Sequence, residues 1–137
     1  MTGTHLTGMH PGWGITAVRV AMGLILLVAG YDKWAAGIGA TSAAFERWSI
    51  PLPGLAGPLV GALELGGGAL LIVGLLSRWV GLAIALQFLV AAVWVKFRLM
   101  GWDPGRLDVM LLAGGLLVFL DGPGKAALDA GWRARHA

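Results

Sequence analysis

Residues 56–97 read AGPLVGALELGGGALLIVGLL, then SR, then WVGLAIALQFLVAAVWVKF. The first block, Ala56–Leu76, holds one charged residue, Glu64; the second, Trp79–Phe97, has none before Lys96. Each block is close to the roughly 20 residues that the hydrocarbon core of a bilayer requires. Only Ser77-Arg78 separates them, which predicts a tight antiparallel hairpin crossing a membrane twice.

Working outward, Gly14–Lys33 is a further span before the hairpin. Beyond it, the apolar run Leu107–Leu120 is short, but Asp103-Pro104 reads as an N-cap with proline at the first helical position, giving a span over 104–121. The long first connection carries Thr41-Ser42, which predicts a cap for a short interfacial helix over Ala43–Trp48, ended by Ile50-Pro51-Leu52-Pro53. Gly122-Pro123-Gly124 ends the last helix, and 122–137 reads as a polar tail. The expectation is an all-α integral membrane protein: a four-helix transmembrane bundle, one unit over 1–137, with a short interfacial helix in the first loop.

Composition agrees. Of 137 residues 58% are hydrophobic and 12% charged, with mean hydropathy +0.80. A soluble domain carries about 25% charged residues, so this chain lacks the polar surface to stay in water. The net charge of +3 comes from scattered Lys and Arg; without a basic run, no nucleic-acid partner is expected. The partners expected are membrane lipid and either other subunits or further copies of the chain. With no cysteine, there is no disulfide, thiol chemistry, covalent c-type haem or thiolate-held iron–sulfur cluster. Trp13, Trp34, Trp79, Trp94 and Trp102 fall near span ends, as in an interfacial aromatic belt, and Trp48 and Trp132 are placed on the headgroups. No Lys or Arg precedes the first span, Arg19 interrupts it and no small-residue cleavage site follows, so it reads as retained and not as a signal peptide. The positive-inside rule does not decide orientation, because both faces carry several Lys and Arg.

A charge at helix-centre depth costs roughly 2.5–3.5 kcal/mol, and such groups face one another or a wet cavity by default. At 100° per residue Arg19, Gly23, Leu26, Gly30 and Lys33 form one stripe. Gly57, Gly61, Glu64 and Gly68 share a face, Asp108 lies over Leu112 and Gly115, and Ala83, Gln87, Ala91 and Trp94 align. Gly57 and Gly61 have the small-xxx-small spacing of close helix approach. Each polar residue therefore lies on a small-residue side and points inward. Lys33, Glu64 and Asp108 converge on one half of the bundle, with Lys96 and Asp32 at its mouth, Gln87 near mid-depth and Arg19 toward the other end. The picture is a polar track, which either holds the helices together or acts on something. His5 and His10 lie in a tail without a nearby carboxylate, His136 is terminal, and no metal site is expected.

The motifs in order resemble the DoxX/DoxD family of small four-span bacterial membrane proteins. They are Arg19 with Gly23; Ala29-Gly30-Tyr31-Asp32-Lys33-Trp34, similar to "AGxxK"; Gly61-Ala62-Leu63-Glu64-Leu65-Gly66-Gly67, similar to "GxxExxGG"; and Asp121-Gly122-Pro123-Gly124-Lys125-Ala126-Ala127-Leu128-Asp129, similar to "GPGxxSLD". Ala127 stands where serine is common, and Asp108 where a glutamate is expected. The resemblance implies a bacterial inner-membrane protein linked to quinone-dependent oxidation or a redox-stress complex, since the name-giving members are subunits of a thiosulfate:quinone oxidoreductase.

Two functions stay open. In the first, the chain is a subunit of a quinone-linked oxidoreductase: Glu64 and Asp108 exchange protons, Arg19, Lys33 and Gln87 contact the quinone or its head group, and a partner supplies electrons. In the second, it is a non-catalytic assembly subunit whose charges are locked in ion pairs. A proton-coupled small transporter is disfavoured, because the small multidrug transporters carry their glutamate in the first span.

Overall fold

The computed structural model describes residues 12–129. His5, His10, Trp132 and His136 lie outside the described residues. Four long helices and one short one follow in order: α1 Trp13–Ala35, α2 Ile38–Arg47, α3 Pro53–Val73, α4 Ser77–Val90 with a π-helical continuation Ala91–Met100, and α5 Trp102–Asp121. No strand occurs among the described residues. The protein is an all-α membrane bundle. Three helical stretches, Trp13–Ala35, Pro53–Val73 and Ser77–Met100, are long and apolar enough to cross a membrane. α5 has 20 residues, among them the charged Asp103, Arg106 and Asp108. At 1.5 Å per residue it reaches about 30 Å.

The helices associate as two tight pairs. α1 packs chiefly on α3 and α4 on α5, while α3–α4 and α1–α5 touch more lightly. Glycine sets this difference, because packing without a hydrophobic drive between helices depends on close backbone approach. A Cβ at Gly68 would lie 2.5 Å from Leu27 N, and one at Gly23 would lie 2.7 Å from Gly68 O. In the other pair, Cβ atoms at Gly81 and Gly115 would lie 2.8 and 2.7 Å from each other's carbonyl oxygens. Between the pairs lies an apolar core of Met22, Leu26, Leu71, Val80, Ile84, Phe88, Leu111 and Val118.

Several expectations need correction. α2 starts at Ile38 after Gly37 at φ 95, so Thr41 and Ser42 lie inside it and cap nothing. Gly57 and Gly61 serve this short helix and the end of α1: Gly57 meets Ser42, and Gly61 meets Ile38 and Trp34. α5 starts at Trp102 after Gly101 with no side-chain cap, two residues before the expected start, in which Asp103 caps and Pro104 is the first helical residue. The third span buries Val80, Ile84 and Phe88, then Ala92 and Val95, and not the stripe through Ala83 and Trp94. The departure begins in the regular helix, where the close approach of Gly81 to Gly115 sets the side that faces α5; beyond Val90, i→i+5 bonding winds more residues into each turn, so a wheel drawn at 3.6 residues per turn loses register.

Candidate functional site

Two clusters of polar side chains occupy opposite ends of the bundle. At the end formed by the start of α1 and the α3–α4 turn, Arg19 is completely buried. Its Nε donates to Leu71 O at 2.8 Å, Nη1 donates to Pro123 O and to Lys125 O (3.2 Å), and Nη2 donates to Ala126 O at 2.9 Å. Thr16 Oγ1 donates to the same Lys125 carbonyl at 2.6 Å. Residues 122–129 after α5 thus form a docked strap, where the sequence shows only a polar tail. Gly122 and Gly124, at φ 91 and 76, supply the bends that present its carbonyls. Farther along, the Asp129 carboxylate accepts from Leu76 N at 2.8 Å and Ser77 N at 2.7 Å, capping α4 from a remote part of the chain. A carboxylate there completes orphan amides and suits the positive end of the helix dipole.

The second cluster lies at the other end. Lys33 Nζ on α1 lies 2.6 Å from Glu64 Oε2 on α3. Gln87 Nε2 on α4 donates to Glu64 Oε1 at 2.9 Å. Lys96 Nζ, on the π segment, lies 2.8 Å from Asp108 Oδ2 on α5. Each ion pair therefore ties together one of the tight helix pairs, and Gln87 bridges them. In both, the carboxylate is the shielded partner: Glu64 and Asp108 side chains are 4% and 6% exposed, against 29% and 23% for Lys33 and Lys96.

All five groups line one cavity of about 590 Å³ between the helix pairs, whose remaining wall is almost wholly apolar. Small-molecule sites characteristically have this make-up, a volume of about 300–1,000 Å³ with few convergent polar groups. Phe45, Trp48 and Ile50, from α2 and the loop after it, also line it. Trp48 O accepts from Trp94 Nε1 at 3.2 Å and Arg98 Nη2 at 3.5 Å, which ties α2 to the π segment. Trp48 is half-buried over the cavity and not a free headgroup anchor.

Of the residues singled out from the sequence, Lys33, Glu64, Gln87 and Asp108 come together, while Arg19 lies apart and does not line the cavity. Buried Met22 and Leu26 intervene on α1, so the polar track is broken into two clusters. Asp32 is exposed and outside the cavity. The sequence puts Lys96 only at the mouth; its pairing with Asp108 is hidden there by the π winding, which shifts the register. Among the described residues no cluster of three or more His, Cys, Asp or Glu is placed to hold a metal.

The DoxX family profile matches residues 14–97, which takes in α1 through most of the π segment and hence Lys33, Glu64, Gln87 and Lys96. Over 116 residues the chain is 34% identical to the Bacillus subtilis (strain 168) protein named "Putative oxidoreductase CatD", covering 85% of this chain and 84% of that one. It is 27% identical over 130 residues to the Mycobacterium tuberculosis (strain ATCC 25618 / H37Rv) protein named "Uncharacterized membrane protein Rv3486", covering 84% of this chain and 78% of that one. No solved structure matches the chain.

Proposed function

The chain belongs to the DoxX family of membrane proteins, and from that premise we propose that it is the quinone-handling membrane subunit of an oxidoreductase in the bacterial cytoplasmic membrane. One observation carries the reading: a single apolar cavity presents two ammonium groups, each backed by a shielded carboxylate. That arrangement suits a flat ring bearing two oxygens. Lys33 and Lys96 have donors to spare beyond their carboxylates, since an ammonium has three, and they bind the ring oxygens. Gln87 orients Glu64 through its amide N–H. Glu64 and Asp108 balance the ammonium charges and accept or return protons as the ligand's charge changes. A quinone, when bound, supplies the chemistry of taking up two electrons and two protons. With no cysteine to hold an iron–sulfur cluster or covalent haem, this chain leaves the electrons to a partner dehydrogenase. The relative named as an oxidoreductase supports the redox class. Arg19, with its donors on carbonyls, has the role of holding the strap and not the ligand.

The test is extraction from the native membrane in a mild polymer, with identification of bound small molecules and proteins, followed by quinone turnover of the purified assembly with Glu64→Gln. A stoichiometric quinone, and a variant that stays assembled but loses turnover, support the reading. A stable complex that holds no quinone at this chain refutes it. A second reading, a non-catalytic assembly subunit, has one observation in its favour: both carboxylates already have a lysine within hydrogen-bonding distance. On that reading Glu64→Gln dissociates the complex.

A further inference from the structure

The cavity's wall is uneven in a way that identifies how its ligand sits. The residues over its aqueous end, Phe45, Trp48 and Ile50, are each only half-exposed, and Trp48 is tethered across to Trp94 and Arg98. The residues along its flanks are the most open ones. Leu59 on α3 and Leu86 and Val90 on α4 all line the cavity, yet are 62%, 56% and 52% exposed. A side chain enclosed in a cavity is not that exposed, so these three sit on a rim that faces outward. On the opposite flank Ile25 on α1 and Leu107 on α5 are likewise both lining and exposed. The rims coincide with the two weakly packed seams, α3–α4 and α1–α5, and not with the glycine-welded pairs. At the α3–α4 rim outward means the acyl chains of the bilayer, because Leu59, Leu86 and Val90 lie within helices long and apolar enough to cross a membrane.

Resting on the quinone reading of the site, we infer that the cavity takes a tailed, lipid-borne quinone, its ring held under α2 by Lys33 and Lys96 and its isoprenoid or alkyl tail leaving sideways through the α3–α4 seam past Leu59, Leu86 and Val90. The seam also lies at the level of the polar groups: Leu86 adjoins Gln87, whose side-chain amide donates to Glu64, the partner of Lys33. A water-soluble ligand would need the opposite construction, with an open roof and closed flanks. Tail and seam are both apolar, so passage through it buries no polar group.

The experiment uses the full chain in nanodiscs and two probes: 2,3-dimethoxy-5-methyl-1,4-benzoquinone, which has no tail, and the same ring with a decyl chain. Bound quinone is quantified after gel filtration at matched quinone-to-lipid ratios, with empty nanodiscs subtracted. The seam is blocked by Leu59→Trp with Leu86→Trp; Ile50→Ala thins the roof instead. The expected result is at least a tenfold loss of decyl-quinone binding in the blocked protein, less than a twofold change for the tail-less ring, and little change for either with Ile50→Ala. If the blocked protein misfolds, Val90→Phe alone, graded by melting temperature, replaces it with the same expected order. Equal effects on both probes, or none, overturn the lateral tail. If neither probe binds the unmodified protein, the quinone reading falls, and this inference with it.

Discussion

Replacing Arg19 by Met removes a guanidinium that reaches four carbonyls, those of Leu71, Pro123, Lys125 and Ala126. Met keeps the length and apolar bulk of the side chain, so the perturbation is mainly loss of donors. Hydrogen bonds to charged groups contribute about 1.5–3 kcal/mol each, and a buried acceptor left unmatched costs about 1–3 kcal/mol. Thr16 Oγ1 still serves Lys125 O, and some strap carbonyls gain water when the segment lifts. Removing the buried Arg charge returns part of the loss, since desolvating it is itself unfavourable. A net cost of about 3–4 kcal/mol remains, a large share of the roughly 5–15 kcal/mol that holds a folded protein together. The corresponding fall in melting temperature is about 10–20 °C by the scaling for domains near this length. The assay joins detergent melting with limited trypsin digestion, because the strap contains Lys125 and its carbonyl is held from two sides. Arg19→Met is expected to open the Lys125–Ala126 bond to cleavage at a temperature where the unmodified chain resists. Arg19→Lys is expected to fall nearly as far, because one ammonium does not reproduce a planar fork of donors. An Arg19→Met protein that melts normally, resists trypsin and has lost only quinone binding would refute the strap argument and return Arg19 to the ligand.

Other changes separate packing from chemistry. Gly68→Ala drives a Cβ to 2.5 Å from Leu27 N and is expected to destabilise by about 1–3 kcal/mol by overpacking. Gly66→Ala, which meets nothing within 4 Å, is expected to be neutral or to stabilise by up to about 1 kcal/mol; thermal melts of the two read the contrast. Asp129→Ala removes both acceptors at the start of α4 and is expected to cost about 1–2 kcal/mol, with faster amide exchange at Leu76 and Ser77 as the local signature. Lys96→Met leaves Asp108 without its ion-pair partner. It is expected to destabilise and to abolish quinone binding, whereas Lys96→Met with Asp108→Leu is expected to recover the melting temperature without recovering binding.

The inward stripe on α1 was legible because an uninterrupted α-helix obeys a 3.6 period, so Arg19, Gly23, Leu26 and Gly30 needed no tertiary information. Glu64 was legible for the same reason, and Lys33 followed from ending the same stripe of α1. Asp108 was found, but its partner was not. Lys96 lies beyond Val90, where the helical period changes, and nothing in AAVWVKFRLM announces that change. The α2 start at Ile38 is not legible locally, because Gly37-Ile38-Gly39 looks like loop and Thr41-Ser42 looks like a cap. Packing of Ser42 against Gly57 outweighs both local signals. Arg19's partners were invisible in principle, since they are backbone carbonyls, which every residue carries. The only hint was the company they keep, prolyl and glycyl residues that bend the chain to present them.

The strap also sets an order of events during synthesis. Arg19 and Pro123 are 104 positions apart, so at about 5–20 residues per second α1 exists for roughly 5–20 s before its acceptors are made. During that interval the newborn helix carries a cation into the bilayer with no carbonyl of its own to meet it. Leu71 O becomes available with the third helix, but the rest arrive only after the last span has been laid down. Membrane insertion of this protein is therefore finished from its far end, by the segment that lets the first helix settle.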